Sequence, residues 1–275
     1  MAERAPGGMV VAITGGARGI GAATARACAR AGMRVAVGDL DAEPAQTLAG
    51  QLGSGHTGME LDVRDRDSFE TFLDEAESRL GPLDVLVNNA GVFHLGPFVD
   101  EQPERTQRML DINVGGVITG CSLAAPRMVA RGRGHIVNLA SSAGQIPPPG
   151  AATYAASKHA IVGFTRALHA ELHGDGVWTT LVMPGIVKTD MIGGFASARG
   201  TREIEPDMVA DAIVKSVRSG RPEVFVPPEL GGPARLIAGL PPRPSRALKR
   251  VLGVDTVMTD ADPDARSEYE ARIDR

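Results

Sequence analysis

The apolar run Met9–Ile13 leads directly into Thr-Gly-Gly-Ala-Arg-Gly-Ile-Gly at 14–21, and Ala22–Ala31 follows with neither Gly nor Pro. A strand, a glycine-punctuated turn and a helix in immediate succession restrict the chain to folds built on a tight strand-to-helix corner. Glycine adopts backbone angles closed to other residues, and without a side chain it lets a ligand approach the main chain. The free N–H groups and positive dipole end of the following helix then suit a pyrophosphate. The glycines stand at Gly15, Gly19 and Gly21, a GxxxGxG spacing rather than GxGxxG. In a chain with 34 glycines such a triplet can arise by accident, so its meaning depends on what surrounds it.

A second apolar run, Met33–Gly38, ends in Asp39, with Leu40 beside it, 18 residues past Gly21. That is near the ~20-residue offset at which an acid on the next strand tip meets the adenosine ribose hydroxyls. A carboxylate there accepts bonds from both hydroxyls and repels a 2′-phosphate, which favours NAD over NADP. Arg18 pulls the other way, because a basic residue in the glycine turn can pair with that phosphate.

Short apolar runs alternate with longer helix-like segments. Strands are expected at 9–14, 33–38, 57–62, 83–88, 134–140, 177–183 and 223–227. Helices are expected at 18–31, 41–52, 65–80, 103–131, 152–173 and 206–219. Continuously apolar strands such as Val85-Leu86-Val87 suit a parallel sheet buried on both faces. Repeated βα units joined by right-handed crossovers then give an α/β, doubly wound sheet of seven strands. The pattern weakens between Asp190 and Glu205, which contains Gly193, Gly194 and Gly200 and reads as a mobile loop or lid. The division expected is a catalytic domain at 1–228 and a C-terminal helical extension at 229–275.

With 275 residues, 43% hydrophobic and 23% charged, the chain can bury a large core. A net charge of −4 gives no reason to expect nucleic acid. Cys28 and Cys121 carry no Cys/His spacing for a metal, so no metal site is expected and the thiols read as core residues. Met1–Gly8 has no apolar signal region and no window approaches 18 uninterrupted apolar residues, so a cytoplasmic, non-spanning protein is expected.

Tyr154 and Lys158, at i and i+4 on a helix candidate, share one face. Ser141 lies 13 residues before the tyrosine, at the end of the strand Gly134–Leu139; Ser142, one residue later, is the alternative, and the spacing favours Ser141. A phenol with a pKa near 10 is a poor base at neutral pH, and lowering it to about 7 requires roughly 4 kcal/mol of preference for the phenolate. A nearby ammonium together with a positive nicotinamide ring can supply this where solvent is scarce. Ser141 then holds the substrate oxygen while Tyr154 moves the proton, in general acid–base catalysis coupled to hydride transfer.

In combination, TGxxxGIG at 14–21, Asp39, Leu61-Asp62-Val63, Asn88-Asn89-Ala90-Gly91, Asn113, Ser141, Tyr154-x-x-x-Lys158 and Pro184-Gly185-x-x-x-Thr189 resemble the short-chain dehydrogenase/reductase family, over about residues 9–227. The resemblance implies a Rossmann fold and a homo-oligomer, a dimer or homotetramer formed through helices 103–131 and 152–173. It implies that Asp62 and Val63 bound the adenine and that Asn89, Ala90 and Gly91 line the adenosine side. Asn113, interrupting a helix, would hold a water that joins Lys158 into a proton relay, and Lys158 would also bond the nicotinamide ribose. Pro184–Thr189 would dock the carboxamide, through the side chain of Thr189 and the backbone of Val187. Ala17, Ile20 and Leu40 complete the cofactor set expected around Gly15, Arg18, Gly19, Gly21, Asp39 and Gly185.

Substrate identity resides in three segments. Val92–Pro97 contains Phe93, His94 and Leu95; residues 145–152 contain Ile146 and three prolines that stiffen a wall; the lid contains Met191 and Phe195. Their apolar character suggests a lipophilic alcohol or ketone rather than a sugar. Leu230–Val254 adds Arg235, Arg243, Arg246, Lys249 and Arg250 without an acid. It can lie on an anionic membrane or pack on the protein, and packing is favoured because short helices bury little area in lipid. The acid-rich tail 255–275 can fold back on that basic stretch or stay disordered. The rival readings are an NADPH-linked ketoacyl reductase, a non-catalytic NAD-binding regulator and a sugar-nucleotide epimerase, the last disfavoured by the glycine spacing.

Overall fold

The computed structural model describes residues 5–192, 203–251 and 269–274. Phe195 and the glycines Gly193, Gly194 and Gly200 lie outside the described residues. The strands are β1 (Val10–Thr14), β2 (Arg34–Asp39), β3 (Thr57–Glu60), β4 (Leu83–Asn88), β5 (Gly134–Leu139), β6 (Val177–Pro184) and β7 (Glu223–Val226). They form one sheet in the order β3-β2-β1-β4-β5-β6-β7, and every pairing is parallel. The order reverses between β1 and β4, which opens a crevice at the carboxyl ends of those strands.

Side chains of β1 alternate between two cores. Val11 and Ile13 pack with α1 (Gly19–Arg30), α2 (Ala42–Leu52) and α7 (Pro206–Ser219) through Ala25, Leu48 and Ile213. Val10 and Ala12 face the opposite layer, with α3 (Arg66–Leu80), α5 (Gly116–Val129) and α6 (Ala152–Leu172), through Phe69, Ala124 and Ile161. Both faces are therefore dry, which is why the strands carry unbroken apolar runs.

The helix expected at 103–131 runs without interruption from Pro103 to Val129, as α4 (Pro103–Leu110), a π-helical turn at Asp111–Gly115, and α5, which stops two residues short of the expected end. The wide turn carries Asn113 into the interior, where the residue is fully buried. Pro103–Val129 has the length and mean hydropathy, 1.2, of a membrane-crossing helix, and half of its apolar window is buried within the fold.

Beyond β7, α8 (Gly231–Gly239) packs on the sheet edge through Ala234 and Ile237, and α9 (Pro242–Val251) follows. The Arg235 guanidinium lies 5.2 Å over the Phe225 ring and pairs with Glu223. Leu236 does not share the buried side with Ile237: it is 60% exposed, as a 100° step per helical residue dictates. The tail does not fold onto this basic stretch in its described part. Residues 269–273 form a short helical turn that packs against α4 and the mouth of the crevice.

Candidate active site

The glycine turn is built for close approach. Gly15 has φ +60°, and a Cβ there would lie 2.8 Å from Ala90 Cα. A Cβ on Gly21 would lie 2.7 Å from Asn89 Nδ2. Arg18 is the N-cap of α1 in extended backbone, makes no side-chain capping bond, and no acid follows in the first turn. The leading N–H groups of the helix therefore face the crevice without a competing carboxylate.

Thr14 holds this corner to β4. Its hydroxyl accepts from the amides of Asn89 and Ala90, each at 3.0 Å, while Asn89 Nδ2 donates to the carbonyls of Thr14 and Gly15 at 3.0 and 2.9 Å. Thr14 heads the glycine motif, yet nothing in the sequence marked its hydroxyl as the tether. Asn88, one residue before, donates to Asn138 Oδ1 at 2.9 Å and joins β4 to β5.

At the tip of β2, Asp39 accepts from the Ala17 amide at 3.0 Å and from the Asp41 amide at 3.3 Å. Arg18 donates to Asp41 rather than standing free. Asp62 is gripped by Arg64 through contacts of 2.6 to 3.1 Å, and hydrogen bonding to that guanidinium holds its carboxyl below the usual range. Asp62 does not cap α3; Asp65 does, accepting from the Asp67 and Ser68 amides.

Gly15, Arg18, Gly19, Ile20, Asp39, Leu40, Asp62, Val63, Asn89, Ala90, Gly91, Tyr154, Lys158, Pro184, Thr189 and Met191 all line one cleft. Gly185 and Val187 sit behind that lining: the Gly185 amide donates to Val226 and the Val187 side chain is buried. Ala17 contributes through its amide to Asp39. Sequence reasoning missed Arg64, Arg108, Tyr269, Arg272 and Ile273, which also line the cleft. They come from separate segments, and no local pattern links them to the glycine turn.

Tyr154 lines the cleft and hydrogen-bonds with Ser141, the serine that the spacing favours. Ser141 Oγ also accepts from the Ala143 amide at 3.1 Å, so its hydroxyl is held in place. Lys158 is 5% exposed, its Nζ donates to the Leu139 carbonyl at 3.0 Å, and it lies 5.6 Å from the Tyr154 ring centroid. Burial pushes the Tyr154 phenol up to about 12, against the lowering effect of Ser141. Burial also brings Lys158 down to about 8. In the protein alone, desolvation of the phenolate outweighs the lowering effect of Ser141; the lowering toward 7 expected from the sequence calls on a nicotinamide ring beside the phenol.

Asn113 spends its side chain on structure. Oδ1 accepts from the Val92 amide at 2.8 Å, and Nδ2 donates to the Val92 carbonyl and to Ser157 Oγ at 2.9 and 3.1 Å. Both Nδ2 hydrogens are used, so only acceptor capacity remains for a relay.

The three substrate segments fare differently. Phe93 packs on Tyr154 with ring centroids 4.5 Å apart and planes inclined by 53°. His94 is buried behind it, 3.7 Å from Asp274, and burial lowers its pKa. Ile146 packs into the sheet core, not along the cleft. Cys28 and Cys121 are free, buried thiols pushed up to about 12. No group of three or more metal-ligating side chains occurs among the described residues.

A family model described as short chain dehydrogenase matches residues 9–199. D-threitol dehydrogenase of Mycolicibacterium smegmatis is 35% identical over 254 residues, covering 91% of each chain. Sorbitol dehydrogenase of Cereibacter sphaeroides is 35% identical, covering 78% of this chain and 86% of that one. The probable oxidoreductase EphD of Mycobacterium tuberculosis is 36% identical over 81% of this chain, which spans 42% of the length of that relative. Among solved structures, a 3-ketoacyl-(acyl-carrier-protein) reductase from Brucella melitensis complexed with NADH superposes with a TM-score of 0.75. It shares 26% identity and covers 80% of this chain and 97% of its own.

Proposed function

The chain belongs to the short-chain dehydrogenase family, and on that premise we propose that it is an oxidoreductase of alcohol CH–OH groups, with NAD as coenzyme and a small lipophilic secondary alcohol or the matching ketone as substrate. The observation that carries the reading is that Tyr154, hydrogen-bonded to Ser141, and Lys158 line one cleft together with Asp39 and the glycine turn. The close approaches at Gly15 and Gly21 and the uncapped start of α1 fit a dinucleotide.

When bound, the oxidised nicotinamide supplies a hydride acceptor and a positive charge beside the phenol. The protein does the rest. Ser141 holds the alcohol oxygen, Tyr154 takes its proton in oxidation or returns it in reduction, and Lys158 bonds the ribose and, in its protonated form, stabilises the phenolate. Asn113 fixes the Val92 main chain and Ser157 beside that pair.

Selection of NAD rests on Asp39, backed by Asp41, which occupies the cation that a 2′-phosphate would need. The lipophilic substrate rests on apolar neighbours of Tyr154: Phe93, Val92, Met109 and Ile112. A polyol is the second reading, favoured by the threitol and sorbitol dehydrogenases at 35% identity. Cytoplasmic location and a homo-oligomer belong to the same proposal, supported by the two buried free thiols and by Ile118 and Val129, which are exposed on α5.

The test is a screen of secondary alcohols, polyols and ketones with NAD(H) and NADP(H) in parallel, read by nicotinamide absorbance. Turnover of lipophilic alcohols with NAD supports the proposal. Turnover only with the phosphorylated coenzyme, or of polyols alone, replaces the corresponding part of it.

A further inference from the structure

The C-terminal helical turn lies over the catalytic phenol. Tyr269 and Ile273 are 7% and 9% exposed and form a cluster with Val92 and Met109, against which Tyr154 and Ile112 also pack. The Phe93 amide donates to Tyr269 Oη at 3.0 Å, on the same Phe93 whose ring packs against Tyr154. Tyr269, Arg272 and Ile273 line the cleft together with Tyr154 and Lys158.

This turn is tied to both rims of the cleft. On the α4 side, Arg105 donates to Glu270 at 3.2 Å and to Asp274 at 2.7 Å, and Arg108 donates to the Asp274 carbonyl. On the β6 side, Arg272 pairs with Asp190 at 3.1 Å, directly after Thr189. The Arg272 guanidinium also lies 5.6 Å from the Tyr269 ring centroid. Apolar side chains face inward and ion pairs hold the edges, an arrangement suited to closing a pocket rather than to binding a charged partner.

We propose that residues 269–274 form the outer wall of the substrate site, and that Tyr269 and Ile273 set how large a group the alcohol carbon can carry. The proposal rests on Tyr154 being the proton-transfer group. A carbinol oxygen placed on Tyr154 directs its substituents into the space that Tyr269 and Ile273 bound. Small alcohols fit beneath the wall, while larger ones require it to shift against its ion pairs, which salt screens at the partly exposed edge.

The experiment compares the full chain with a version ending at Glu268 and with Tyr269→Ala and Ile273→Ala. A graded series from 2-propanol to 1-(2-naphthyl)ethanol is assayed for kcat/KM at saturating NAD, and calorimetry measures binding of the matching ketones in the presence of NAD. The wall predicts that the bulky-to-small ratio rises roughly tenfold or more in the shortened chain and in Tyr269→Ala, mainly through KM. If no alcohol is oxidised but ketone binding shows the same shift, the wall stands and the proposed reaction falls. Ratios that stay within about twofold in all three variants, or ketones that bind none of them, overturn the inference.

Discussion

Arg18 Nη1 lies 2.8 Å from Asp41 Oδ2, so the basic residue in the glycine turn is committed to a neighbouring carboxylate. Both groups are more than a third exposed, so the pair contributes little stability. Its consequence is electrostatic: a 2′-phosphate would meet Asp39 and Asp41 before it met an unpaired cation. Asp41→Ala is expected to raise the NADP-to-NAD ratio of kcat/KM by about tenfold, equivalent to about 1.4 kcal/mol. Asp39→Ala should act in the same direction, and the double variant more strongly. An unchanged ratio in all three would remove the carboxylates from coenzyme selection.

Tyr154→Phe keeps the ring that packs against Phe93 and removes the hydroxyl that meets Ser141. Turnover should fall by roughly 10²- to 10⁴-fold while the Kd for NAD, measured by fluorescence titration, changes little. Retained turnover would transfer the proton to another group.

The pair Tyr154 and Lys158 predicts a proton balance. Lys158 stands at about 8 and Tyr154 at about 12 in the protein alone. A positive ring placed beside them lowers both, because it disfavours the ammonium and favours the phenolate. Binding of NAD⁺ at pH 8 should therefore release protons into a weakly buffered indicator solution, and NADH should release fewer. Lys158→Met should diminish the release. Proton uptake on NAD⁺ binding would contradict the assignment.

Thr14→Val leaves the Asn89 and Ala90 amides without their acceptor in a position only 2% exposed. Denaturant unfolding should show a loss of about 1–3 kcal/mol. NAD affinity should weaken as well, because the same bonds hold the glycine turn. Thr14→Ser, which keeps the acceptor, should retain most of both.

Much of the molecule was legible along the chain, because parallel strands buried on both faces require continuous apolar runs, and the corner after β1 requires glycine. Tyr154 and Lys158 could be placed on one helix face by spacing alone, as i and i+4 neighbours always are. Tertiary structure decided what distance in sequence conceals. The π-turn in the long helix at Asn113 is tied by bonds to Val92, 21 residues away. The occupation of Arg18 by Asp41 and the tether at Thr14 depend on loops brought together by the sheet. The arrival of Tyr269 at the Phe93 amide spans 176 residues. Local pattern reports backbone periodicity and turn chemistry; contacts between remote segments, and the desolvation that raises the Tyr154 phenol, exist only once the chain has closed on itself.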